Sequence, residues 1–175
     1  MRNVSYPIGH AMDDLIRLFR RCHRLEEVLV AGYGDLSSSP ERVVLYPKQV
    51  FIGAPGQGYL SLTAAETGRW LRIGPATEPV VHPDLDAEDQ LRGVLVDLTS
   101  VYLSVYRALE CKAVTLYVDD DFADGRVRGL AFQLDDGTSL VVDPATVDGI
   151  TLGDERDLWR IADNRDVRAV EISVG

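Results

Sequence analysis

The sequence is short of almost every residue type that announces a chemistry. It has two cysteines, Cys22 and Cys111, far apart in the chain. Two isolated cysteines make neither a disulfide framework nor a zinc site, and a reducing, cytoplasmic compartment is the expectation. It has three histidines, His10, His23 and His82, with no i,i+4 or His-x-His spacing between them. That excludes the common sequence-local metal and metalloprotease signatures. Ser-x-x-Lys and Gly-x-Ser-x-Gly are both missing. Cys22 adjoins His23, but neighbouring helical residues point about 100° apart and do not face each other. The N-terminus has no apolar core of the signal-peptide kind. The most apolar stretch, 94–109, contains Asp97 and Arg107, so no membrane span is expected.

Basic charge is also scarce. Eighteen Lys/Arg stand against 28 Asp/Glu, a net charge of −10. Residues 1–83 carry nine basic and eight acidic side chains, a net +1, whereas residues 84–175 carry nine and twenty, a net −11. Such a field repels nucleic acid and anionic membranes and attracts basic partners. The hydrophobic fraction of 46% is ordinary for a globular chain, which excludes disorder as the explanation of the acidity.

Residues 11–28 place Met12, Leu15, Ile16, Phe19, Cys22 and Leu25 at three- and four-residue spacing, which predicts a helix with one apolar stripe. Arg17, Arg20, Arg21 and Arg24 fall mostly off it. Short strands are expected at 43–46, 49–53 and 59–62. Thr63-Ala64-Ala65-Glu66 has the form of a capping box and predicts a short helix to about residue 71. Prolines 75, 79 and 83 predict an irregular segment over 73–83. Over 86–111 the stripe Leu91, Val94, Leu95, Leu98, Val101, Tyr102, Val105, Tyr106, Leu109 predicts a long central helix. The period then changes to two. Val114, Leu116 and Val118 alternate, as do Leu130, Phe132 and Leu134, with Asp135-Asp136-Gly137 as a hairpin turn. Residues 139–142, 149–152 and 167–174 read as further strands, and 154–162 as a short helix. The pattern predicts one α+β domain over 1–175: an N-terminal helix with short strands over 1–83, then a long helix packed on an antiparallel meander over 84–175.

Each candidate chemistry is outweighed by a plainer reading. An EF-hand begun at Asp120 puts Phe122 at position 3 and Ala131 at position 12, where oxygen ligands are required. The Gly-rich run 53–58 contains Pro55, leads into a strand and lacks the Lys-Ser/Thr ending of a phosphate loop, so it reads as a turn. The carboxylate clusters fall in turns, where solvent leaves nothing to shift a pKa for acid–base work. No cofactor, metal or catalytic residue is expected. Tyr33, Tyr46, Tyr59, Phe122 and Trp159 fall near loops, where they either anchor an interface or cap the core.

The run AFQLDDGTSLVVD from Ala131 to Asp143, then GITLG from Gly149 to Gly153, then Leu158-Trp159, resembles the C-terminal sheet of small bacterial immunity proteins. These neutralise the toxins of contact-dependent inhibition and other polymorphic toxin systems. The resemblance covers about the last third of the chain and carries over no functional position. It implies a non-enzymatic protein that binds a cognate toxin domain, often a basic nuclease. The expected partner surface is therefore acidic and loop-borne: Asp119, Asp120, Asp121, Phe122, Asp124, Asp135, Asp136, Asp154, Glu155 and Trp159. Two other classes stay open: a small-molecule-binding or enzymatic domain with a pocket between helix and sheet, and an adaptor or subunit of a protein complex.

Overall fold

The computed structural model describes residues 12–37, 39–40, 42–65, 68–81, 91–104, 106–119, 126–146, 149–158, 161 and 167–174. Helix α1 (Met12–Arg21) comes first. Strands β1 (Arg24–Leu25), β2 (Glu27–Asp35), β3 (Arg42–Ala54), β4 (Gly58–Ala65), β5 (Trp70–Ala76) and β6 (Leu91–Asp97) follow. A single helical turn, α2 (Thr99–Tyr102), leads to β7 (Leu109–Asp119), β8 (Val127–Leu134), β9 (Ser139–Thr146), β10 (Gly149–Gly153) and β11 (Val167–Ser173), with a 3-10 turn at Glu155–Asp157.

Every strand pairing is antiparallel. One arc runs β6-β2-β3-β4-β5, and the other runs β11-β7-β8-β9-β10. They join through one residue pair, Leu71 with Val127, between β5 and β8. Trp70 reinforces that narrow seam. The guanidinium of Arg128 lies 4.1 Å and that of Arg126 5.1 Å from its ring centre, both from the β8 side. β10 closes the other side by packing on β3. Gly149 makes that approach possible: it has φ +119°, and a Cβ there would lie 2.8 Å from the Pro47 carbonyl.

The strand residues obey period two, so alternate side chains from both arcs meet in one core. Val28, Val50, Ile52, Leu60, Leu62 and Ile73 from the first arc share it with Val114, Leu116, Leu130, Phe132, Val142 and Ile150 from the second. Burying each large aliphatic or aromatic side chain contributes roughly 1.5–3 kcal/mol. α1 packs against β5 and drives Leu15 and Phe19 into this core, Phe19 meeting Phe132 edge to face at 6.0 Å. A smaller cluster, Tyr117, Ala131, Val141 and Ile161, lies on the outer face of the second arc.

The long central helix is not there, and the fold is mostly antiparallel sheet: strands account for 63% and helix for 15%. Residues 86–90 lie outside the described segments. Within 91–111 the chain forms β6, the turn α2 and the start of β7. An apolar-rich run satisfies both periods, and β-branched Val94 and Val96 beside Gly93 suit a strand better than a helix. Local hydrogen bonding then breaks the run. The Asp97 carboxylate accepts the Thr99 N–H at 2.8 Å, an Asx turn that ends β6.

Other elements differ too. α1 stops at Arg21, and β1 and the start of β2 take up most of the rest of the run to Val28; Cys22, just after the helix, and Leu25, in β1, are still buried in the core. The stripe is shared by both conformations. Residues 63–65 extend β4, and 70–76 form β5 instead of a helix and an irregular segment. Pro75 is tolerated because the adjoining strand β8 meets β5 only at Leu71. The two short strands expected at 43–46 and 49–53 are one strand, β3. Among the described residues no helix is long and apolar enough to cross a membrane.

Candidate functional site

A polar cavity of about 510 Å³ opens where β2 begins and β6 ends, beside residues 99–104 and 106–108. Glu26, Glu27, Asp97, Thr99, Ser100, Ser104, Tyr106, Arg107 and Ala108 line it. β2 and β6 are adjacent, with Leu29 opposite Asp97, so the start of one strand brings Glu26 and Glu27 to the end of the other. Three bonds sew the floor. Val28 N–H donates to Thr99 Oγ1 at 2.9 Å, Leu98 N–H to the Val28 carbonyl at 2.8 Å, and Thr99 N–H to Asp97.

The walls are oriented in the same way. Tyr59 Oη–H donates to Glu27 Oε2 at 2.8 Å, and the Tyr59 ring sits edge-on to Phe51. That bond holds the Tyr59 hydroxyl above its ordinary pKa, because ionising it would place a second anion against Glu27. Bonding to Thr99 holds Asp97 below the usual carboxylate range. Arg107 Nη1 donates to Asp135 Oδ2 at 2.8 Å, so the single guanidinium of the lining already has a carboxylate. Tyr106 is 94% exposed beside the cavity. Three carboxylates therefore face solvent water with one cation, itself engaged. A depressed carboxylate pKa is the wrong direction for a general acid, and it suits holding a cation.

The acidic residues singled out from the sequence lie apart. Asp119 ends β7 beside Val118, which pairs with Val127, whereas Asp135 and Asp136 follow Leu134, which pairs with Cys111. Those two ends of the ladder are separated by seven residues of β8, about 24 Å. Asp154 follows Gly153, which pairs with Val141, and so lies nearer the hairpin end.

Four of the five that lie among the described residues have partners within the chain. Arg128 Nε donates to Asp119 at 2.8 Å, and Asp135 accepts from Arg107 and from Glu110 N–H. Asp136 accepts from the Thr138 amide at 2.9 Å and hydroxyl at 2.6 Å. Asp154 caps the 3-10 turn, accepting Arg156 N–H at 2.9 Å and Arg156 Nε at 3.0 Å, which pulls it down to a pKa of about 2. Glu155 is exposed. Asp120, Asp121, Phe122, Asp124 and Trp159 lie outside the described residues.

The cavity's own carboxylates belong to the half of the chain with balanced charge, or to the run read as helix. Their signal was present: Glu26-Glu27 immediately precedes the apolar run Val28–Ala31, and Asp97-Leu98-Thr99 is an Asx-turn sequence. His23 is exposed, with Nδ1 3.2 Å from the Arg20 carbonyl oxygen. Among the described residues no three His, Cys, Asp or Glu side chains come together in a way that could hold a metal. The chain matches no family model, and no curated protein or solved structure is similar to it.

Proposed function

We propose that this chain is a non-enzymatic binding protein of the immunity type, which neutralises a cognate basic toxin domain by direct contact. The observation that carries the reading is the open cavity at Glu26, Glu27 and Asp97, with exposed Tyr106 beside it. It is shaped and charged for a lysine or arginine side chain presented by a partner. An exposed tyrosine next to carboxylates is the kind of anchor around which protein interfaces are organised. The surplus of negative charge adds steering, which raises association rates at low salt. A nuclease domain must be cationic to hold phosphates, so it has the complementary field.

Co-expression with the product of the neighbouring reading frame tests this. The expected result is rescued growth, a complex that co-purifies, and association that slows as salt rises. Tyr106→Ala and Glu26→Lys should each weaken the complex about tenfold or more, equivalent to about 1.4 kcal/mol. Affinity and association rate indifferent to salt and to both substitutions would remove the basis of the reading.

A further inference from the structure

A second cavity, of about 360 Å³, lies between α1 and the end of β5. Leu15, Leu18, Ile73 and Pro75 make its apolar floor, and Asp14, Arg17 and Arg21 stand along it. It exists because α1 commits Leu15 and Phe19 to the core and leaves Leu18 only half-buried against β5. The volume falls at the small end of ligand sites, roughly 300–1,000 Å³.

Its charge is the reverse of the molecule's. Arg17 is held by Asp14 one turn earlier. Arg21, one turn beyond Arg17, and its neighbours Arg20 and Arg24 form no ion pair among the described residues. In a chain of net charge −10, this is an apolar trough with a guanidinium left over at one end and the Asp14–Arg17 ion pair at the other.

We infer that the trough binds an aliphatic carboxylate, its chain along Leu15, Leu18, Ile73 and Pro75 and its head group on Arg21. The helix face sets the direction. Asp14 and Arg21 are seven residues apart, about 10 Å along the axis; the Asp14–Arg17 pair leaves one end neutral, and only Arg21 offers a donor fork that no carboxylate among the described residues occupies. The inference is independent of the toxin-binding reading, which concerns a different face and the opposite charge.

The test is a titration of the whole chain with decanoate, below its micellar concentration and at low ionic strength, followed by calorimetry and amide shifts. The expected result is saturable one-to-one binding, with shifts centred on α1 and residues 73–75. Acetate lacks the chain and decylammonium carries the wrong charge, so both should bind far more weakly. Arg21→Gln, an exposed change that leaves the core intact, should weaken decanoate binding about tenfold or more. Leu18→Gln should weaken it while leaving far-UV circular dichroism unchanged. No saturable binding, equal binding of decylammonium, or indifference to Arg21→Gln would overturn the inference. So would a dimer, seen by sedimentation, that occupies this face and persists in decanoate.

Discussion

Thr99 is the residue on which the polar cavity's floor turns, and replacing it with valine isolates one atom. Thr99 is 8% exposed, and its Oγ1 accepts the N–H of Val28, itself fully buried. Valine keeps the shape and removes the acceptor. A buried backbone N–H left without a partner costs about 1–3 kcal/mol. With a urea dependence of about 2 kcal/mol per molar for a chain of this size, the unfolding midpoint should fall by about 1 M. Thr99→Ser keeps the oxygen and gives up one methyl group, about 0.8 kcal/mol at most, so it should lose less than half as much.

A pH dependence follows from the same site. Bonding to Thr99 lowers the Asp97 pKa, so Asp97 contributes stability above the ordinary carboxylate value, and that contribution is lost as pH falls through the folded value. Valine removes part of that bonding, so the gap between wild type and Thr99→Val should narrow slightly on acidification. The change is small because Asp97 is solvated. A Thr99→Val midpoint within about 0.2 M of wild type, or a Thr99→Ser loss equal to it, refutes the reasoning about Val28.

Two further outcomes test the surroundings. Cys22 and Cys111 are 4% and 2% exposed, and burial raises both thiols, Cys111 to about 12. A bulky thiol reagent at pH 8 should therefore label neither until the chain unfolds, and both afterwards; fast labelling of either thiol in the native state contradicts the packing of α1 and β7. Asp154 should titrate near pH 2 by carbon-detected NMR, and Arg156→Ala should return it towards the ordinary value of about 3.9. Its stability contribution is present above that ordinary value and disappears as pH drops through about 2, so an unshifted Asp154 would mean that Arg156 does not hold it.

The residues that announced themselves did so through local rules. Strands at 113–118, 127–134, 139–142, 149–152 and 167–173 lie where alternation and the Asp-Gly turn put them, because a two-residue period has one physical meaning when turn residues bound it. The glycine-rich run 53–58 is a tight strand-to-strand turn for the same reason, closed by Gln57 N–H on the Ala54 carbonyl. Residues 91–111 had no such boundary. Leu91 to Leu109 satisfies a helical stripe and a strand equally well, and what selected the strand was the edge of β2, a partner far away in the chain that pairs Leu29 with Asp97 and Asp35 with Leu91.

The acidity and the second-half strands could be read from the chain directly, since charge, apolar content and period are properties of neighbouring residues. Only the tertiary structure decided that Glu26, Glu27 and Asp97 share a cavity and that Asp119 and Asp135 stand at opposite ends of a ladder. Those relations depend on which strand lies beside which, and in an antiparallel sheet that is set by long-range pairing and core packing.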